Sequence, residues 1–183
     1  NWVVRQNIFK HIRSPELSLA EHAIHFWSDS ENTLVDQNII INCDRGIGFG
    51  LGERGHIGGV IRNNMVHTIR DVGIGLESAS LVKVFHNTVF TEHYSNSIEY
   101  RFSATQNVVI KNNLTNKNIR SRDGGKGTII NNVMSAKSSW FINTKEGDLH
   151  LSRGIPQIID KGLASMISHD IDCDNRPGGA GYD

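Results

Sequence analysis

The sequence predicts an all-β chain wound as a right-handed parallel β-helix of about six turns, with a C-terminal appendage. Three observations predict it. Composition is the first: 18 Gly, 18 Asn and 22 Ile stand against 3 Pro in 183 residues. Gly and Asn tolerate left-handed backbone at tight turns, and Ile favours strands over helices. The second is a repeat. An apolar run followed by Asn and another apolar residue recurs at Asn7, Asn38, Asn64, Asn87, Asn113 and Asn132, in steps of 31, 26, 23, 26 and 19 residues. The third is that each unit carries another strand pattern downstream of its Asn.

Taken in order, the first unit opens on Trp2-Val3-Val4-Arg5-Gln6-Asn7-Ile8-Phe9, which reads as the middle of a strand pattern. The downstream strands are Ala23-Ile24-His25-Phe26-Trp27, Gly46-Ile47-Gly48-Phe49-Gly50, Gly73-Ile74-Gly75-Leu76-Glu77, Ser97-Ile98-Glu99-Tyr100-Arg101 and Asn118-Ile119-Arg120-Ser121-Arg122, with a looser sixth at Ser139-Trp140-Phe141-Ile142. Units of roughly 20–30 residues are too short for propeller blades and lack a helical period. They fit one β-helix turn each, with equivalent residues stacked ~4.8 Å apart. Each registered Asn is expected to hold a left-handed corner and bond its neighbours above and below. A β-sandwich with Asn-rich turns would need no such register. Residues 1–147 are assigned to the helix and 148–183 to a tail packed on it.

Lys plus Arg and Asp plus Glu are 19 each, so the formal charge is zero. Binding to nucleic acid by bulk charge is thereby disfavoured, and no apolar run reaches the length of a membrane span. Cys43 and Cys173 match no zinc or redox spacing and read as a buried thiol and an inert tail thiol, with a disulfide between them as the alternative. With neither initiator Met nor signal peptide, the chain reads as trimmed from something longer, in an extracellular or periplasmic setting. An uncovered first turn around Val3, Ile8 and Phe9 predicts self-association through that end.

The stretches Ile47-Gly48-Phe49-Gly50-Leu51-Gly52, Ile98-Glu99-Tyr100-Arg101-Phe102, Asn112-Asn113-Leu114-Thr115-Asn116 and Asp148-Leu149-His150-Leu151 resemble those of bacterial parallel β-helix proteins of the pectate-lyase-like superfamily. The closing Asp172-Cys173-Asp174-Asn175-Arg176-Pro177-Gly178 is similar to tails that end such chains. The resemblance implies the fold first. It also admits activity on acidic polysaccharides, as lyase, hydrolase or epimerase.

Side-chain alternation divides the downstream strand into columns. Inward lie Ile24, Ile47, Ile74, Ile98 and Ile119, then Phe26, Phe49, Leu76, Tyr100 and Ser121. Outward lie His25, Gly48, Gly75, Glu99 and Arg120, then Trp27, Gly50, Glu77, Arg101 and Arg122. An aromatic end (His25, Trp27), a bare floor (Gly48, Gly50 and Gly75, with Gly46 and Gly73) and a charged end suit a chain of carboxylate-bearing sugars. Stacked ion pairs, Glu77 beneath Arg101 and Glu99 beneath Arg120, explain the same charges without a ligand. Arg122 has no carboxylate one layer below it and is the least explained.

The expected function is recognition of an acidic polysaccharide, with β-elimination as the candidate reaction and a non-catalytic structural or adhesion module as the competing reading. Elimination needs a base and a neutraliser, roles open to Arg101, Arg120 and Arg122, with Glu77 and Glu99 as candidate calcium ligands. Related lyases set a lysine where Ser103-Ala104-Thr105 stands here. Hydrolysis by Glu77 and Glu99, ~8 Å apart, ranks lower, because neighbouring arginines make a poor general acid. His56, His67, His86 and His93 read as turn or loop residues, and Asp170, Asp172 and Asp174 as solvated acids.

Overall fold

The computed structural model describes residues 1–17 and 20–182. They form a right-handed parallel β-helix whose five complete coils each carry three main strands. The first coil holds β1 (Val3–Arg5), β2 (Ile8–Lys10), β3 (His22–Phe26) and the short β4 (Ser30–Glu31). The second holds β5 (Leu34–Asp36), β6 (Ile39–Cys43), β7 (Arg45–Phe49) and β8 (His56–Ile57). The third holds β9 (Val60–Arg62), β10 (Met65–Thr68), β11 (Ile74–Glu77) and β12 (Ala79–Ser80). β13 (Lys83–Phe85), β14 (Thr88–Thr91) and β15 (Asn96–Arg101) make the fourth; β16 (Val108–Lys111), β17 (Leu114–Thr115) and β18 (Asn118–Arg122) make the fifth. β19 (Gly127–Ile130) opens a sixth.

Stacking joins these strands into a first sheet β1-β5-β9-β13-β16-β19, a second β2-β6-β10-β14-β17, a third β3-β7-β11-β15-β18 and a small fourth β4-β8-β12. The third sheet keeps the register read from the sequence: Ile24, Ile47, Ile74, Ile98 and Ile119 are successive partners, and so are Phe26, Phe49, Leu76, Tyr100 and Ser121. These columns meet Val35, Ile61, Val84 and Ile110 of the first sheet and Ile40, Val66 and Val89 of the second in one continuous core.

The corner between the first and second sheets divides its labour between two residues, where one Asn was expected to do both tasks. The left-handed backbone belongs to the residue before each ladder Asn: Gln6, Gln37, Asn63, His86, Asn112 and Asn131, all with φ between 51° and 57°. The following Asn is freed to point inward and bond along the axis. Asn38 donates from its backbone N–H (2.9 Å) and Nδ2 (3.0 Å) to Asn64 Oδ1, and Asn64, Asn87 and Asn113 repeat the pattern one coil on. Each Nδ2 also reaches the carbonyl two residues back, as Asn87 does to Phe85 at 3.1 Å. A core of stacked apolar columns tolerates these amides only because every polar atom finds a partner.

Winding stops after Val133. An antiparallel hairpin, β20 (Phe141–Asn143) and β21 (Asp148–Leu151), then packs Phe141 and Leu149 on Met65 and Phe90 of the second sheet's outer face. The expected boundary at 147/148 falls inside this hairpin. Beyond it the tail runs back along the corner, and the side chains of all six left-handed residues reach it. Asn131 donates to Lys161 O (2.9 Å), Asn112 to Leu163 O (2.7 Å), and His86 bonds Ser165 Oγ (2.9 Å). Asn63 Oδ1 accepts from Arg176 (2.7 Å), Gln37 donates to Asp170 O (2.5 Å), and Gln6 reaches Cys173 Sγ (3.5 Å). The tail is thus a strap running from the sixth coil to the first. Cys43 is buried and Cys173 exposed, and both are free thiols. His56 and His67 correct the turn assignment, for they are buried in β8 and β10.

Candidate functional site

The third sheet keeps the first outward column read from the sequence: His25, Gly48, Gly75, Glu99 and Arg120 are successive partners. Glu77 partners Arg101, and Arg101 partners Arg122. Gly50 donates its N–H to Phe26 O beside Trp27 (2.6 Å).

The glycine floor is not bare. Gly48 lies beneath two imidazoles: a Cβ on it would sit 2.6 Å from His22 Nε2 and 2.9 Å from His25 Cδ2. Gly75 has Val72 and His22 over it at 3.3 and 3.9 Å from the same virtual atom. Gly46 answers a different need, since its Cβ would lie 2.1 Å from Gly73 O and 2.5 Å from Val66 Cγ1. Gly50, at φ +75°, makes the left-handed exit from β7. Close approach of coil to coil and of ring to strand accounts for these glycines without a ligand.

At the N-terminal end, the His22 and His25 rings meet at a tilt of 38° with centroids 4.1 Å apart, and His25 meets Trp27 at 4.7 Å. His25 Nε2 lies 3.0 Å from Gly50 O, and the Arg54 guanidinium sits 4.5 Å above the Trp27 ring. Burial first, then the charges of His25 and Arg45, push His22 down to about 2, so its ring is neutral. His22 escaped the sequence reading because alternation sets position 22 on the same side as inward Ile24.

At the C-terminal end the carboxylates are held within the protein. Glu99, only 4 % exposed, accepts from Tyr94 Oη (2.9 Å), from Asn96 Nδ2 and from Arg122 Nη1 (3.2 Å to Oε2). Arg122 is therefore not the free cation expected. It reaches diagonally to Glu99 and donates to Tyr94 Oη at 2.8 Å. Its pKa is raised by Glu99 foremost, and the Tyr94 hydroxyl is raised by burial and then by its bond to Glu99. Tyr94 and Asn96 were missed because Tyr94 sits in the turn before β15 and Asn96 at that strand's first position, outside both columns. Arg101 pairs with Asp123 at 2.9 Å more closely than with Glu77 at 3.9 Å. Glu77 accepts the Gly52 N–H at 3.1 Å. Arg120 stays exposed, and no side-chain bond engages it among the described residues.

A cavity of about 190 Å³ lies between the corner and the tail, lined by Asn87, Asn113, Asn132, Leu149 and Ile158. The amides of Asn87, Asn113 and Asn132 are already engaged in the ladder.

The sequence model of a family described as periplasmic copper-binding protein (NosD) matches residues 2–152. Neither the curated proteins nor the solved structures give a match. The described donors do not fit copper, which takes three or more converging imidazole, thiolate or related ligands in protein sites. No group of three His, Cys, Asp or Glu converges among the described residues. Of the adjacent imidazoles His22 and His25, the latter has its Nε2 engaged with Gly50 O, and burial pushes the Cys43 thiol up. No helix among the described residues is long and apolar enough to cross a membrane.

Proposed function

Because the chain belongs to the NosD family of periplasmic proteins, we propose that it is a non-catalytic periplasmic β-helix module, a rigid rod that holds surfaces at fixed spacing. The observation that carries this reading is the enclosure of Glu99. A general acid, a base or a calcium ligand must be reachable by substrate or ion, and a carboxylate held by Tyr94, Asn96 and Arg122 is neither vacant nor exposed. With Arg122 on Glu99 and Arg101 on Asp123, two of the three arginines that elimination would use are engaged.

One observation favours a second reading, recognition of an acidic polysaccharide. Arg120 projects from the sheet unengaged, and Trp27, 41 % exposed, lies at the other end of the same face. A guanidinium can fork onto a uronate, and an indole can pack on a sugar ring. An absorbance assay for unsaturated uronide, run on alginate, pectate and glycosaminoglycans with calcium and with chelator, tests both readings beside retention on the same glycans. The module reading expects no product and no retention. Retention lost in Arg120→Glu would establish the glycan reading, and product from any substrate would overturn the non-catalytic one.

A further inference from the structure

The cavity between the corner and the tail is built by three parts of the chain, and its lining carries two chemistries. Leu114 and Val133 of the rod, Leu149 and Leu151 of the hairpin and Ile158 of the tail supply apolar walls. Asn132 and Lys161 bring polar groups to the same space. An apolar cavity of about 150 Å³ accepts a benzene ring, so about 190 Å³ gives room for a six-carbon body.

The polar groups are donors. Asn7, Asn38, Asn64, Asn87 and Asn113 each give their backbone N–H to the Oδ1 of the Asn one coil further on. Asn132 receives such a bond but winding stops after it, and among the described residues its own N–H has no acceptor. Its side chain is in full use, with Oδ1 on Asn113 and Nδ2 on Ile110 O and Ile130 O. Lys161 is held next to this rung, because Asn131 donates to Lys161 O at 2.9 Å. The Lys161 side chain is exposed and makes no bond among the described residues. Arg176, also on the lining, spends its guanidinium on Asn63 and His169 O. No Asp or Glu among the described residues lines the cavity.

We propose that this cavity binds a small apolar monocarboxylate, of the size of hexanoate or benzoate. Its hydrocarbon packs on the leucines, and its carboxylate accepts from the Asn132 N–H and the Lys161 ammonium. The carboxylate oxygen takes the part in the ladder that Asn Oδ1 plays in every earlier rung. A neutral alcohol would bury the same chain without meeting the charge, and acetate would meet the charge without filling the walls. A ligand that touches rod, hairpin and tail together also holds the tail on the rod. The site lies at the corner, away from the outer face of the third sheet, and stands whichever reading of that face holds.

The test is titration of the whole chain with hexanoate, hexanol and acetate, read from backbone amide resonances and from the rate of tail proteolysis. Hexanoate is expected to move the Asn132 N–H downfield, to shift Leu149, Ile158 and Lys161, and to slow tail cleavage. Hexanol should bind more weakly, and acetate should leave these resonances in place. Lys161→Gln, an exposed change, should weaken hexanoate about tenfold and leave hexanol unchanged. Ile158→Trp, which fills the cavity, should abolish both. Hexanoate that leaves the Asn132 resonance unmoved up to its solubility limit would overturn the proposal. So would hexanol binding as tightly as hexanoate, or hexanoate binding that Lys161→Gln leaves intact.

Discussion

Asn112 and Leu163 hold one another through two hydrogen bonds: Asn112 Nδ2 donates to Leu163 O at 2.7 Å, and Leu163 N–H donates to Asn112 Oδ1 at 3.1 Å. The next residue, Asn113, turns the other way and bonds the coils above and below. Two adjacent asparagines thus serve different parts of the structure, one binding the strap and the other the rod. The left-handed φ of Asn112, 55°, sends the two side chains in different directions.

Asn112→Ala should therefore release the tail locally and leave the rod nearly intact. Asn113→Ala should destabilise the whole chain by roughly 2–4 kcal/mol, since it strands buried donors and acceptors of adjacent coils. Limited proteolysis of the tail and the unfolding midpoint separate the two effects. Equal losses of stability in both variants would contradict the division.

Glycines that look alike in sequence should respond in opposite ways. Gly46→Ala drives a methyl group into the Gly73 carbonyl and should cost about 3 kcal/mol or more. Gly75→Ala meets only Val72 and His22 at 3.3 and 3.9 Å and should fold with a melting temperature within a few degrees of wild type. A Gly46→Ala variant as stable as Gly75→Ala would mean that the coils are less closely packed than described.

The tail and the rod should prefer different pH. His150 stands between Asp148 (2.6 Å) and Asp172 (3.0 Å). Burial pushes its pKa down, but the bond to Asp148 and the two carboxylate charges outweigh this and raise it. This contact is at full strength below the unfolded value of about 6.5 and is lost as pH rises through the folded one. His56 and His22 are depressed by burial, to about 4 and about 2, so they act in the opposite sense. Their contribution is full above about 6.5 and falls away with acid. Tail proteolysis should quicken from pH about 6 to about 9 in the wild type but not in His150→Gln, and the melting temperature should drop from pH about 7 to about 4. A tail equally protected across the alkaline range would remove His150 from this role.

Much of the fold was legible because a β-helix repeats its core. Ile24 to Ile119 fall into one column as soon as the Asn spacing is recognised, and the outward columns follow by alternation. The partners of the outward residues were not legible in this way. Stacking places Arg120 directly over Glu99, yet Arg122 reaches that carboxylate, because Tyr94 and Asn96 shape its surroundings from the start of the strand and the turn before it. His22 was hidden for a similar reason, since alternation does not hold at the strand's first residue. The strap was legible only as a tail, as its contacts are single side chains spread over six coils.

A double-mutant cycle on Glu99 and Arg122 checks whether the buried Glu99 carboxylate and its arginine satisfy one another within the protein. Wild type, Glu99→Gln, Arg122→Leu and the double variant would be compared by denaturant unfolding. A coupling of about 1.5 kcal/mol or more is predicted, above the ~0.2–1 kcal/mol of exposed pairs, with the double variant more stable than the two single losses imply. A coupling inside the exposed range would contradict that pairing, leaving Glu99 and Arg122 free to meet a ligand.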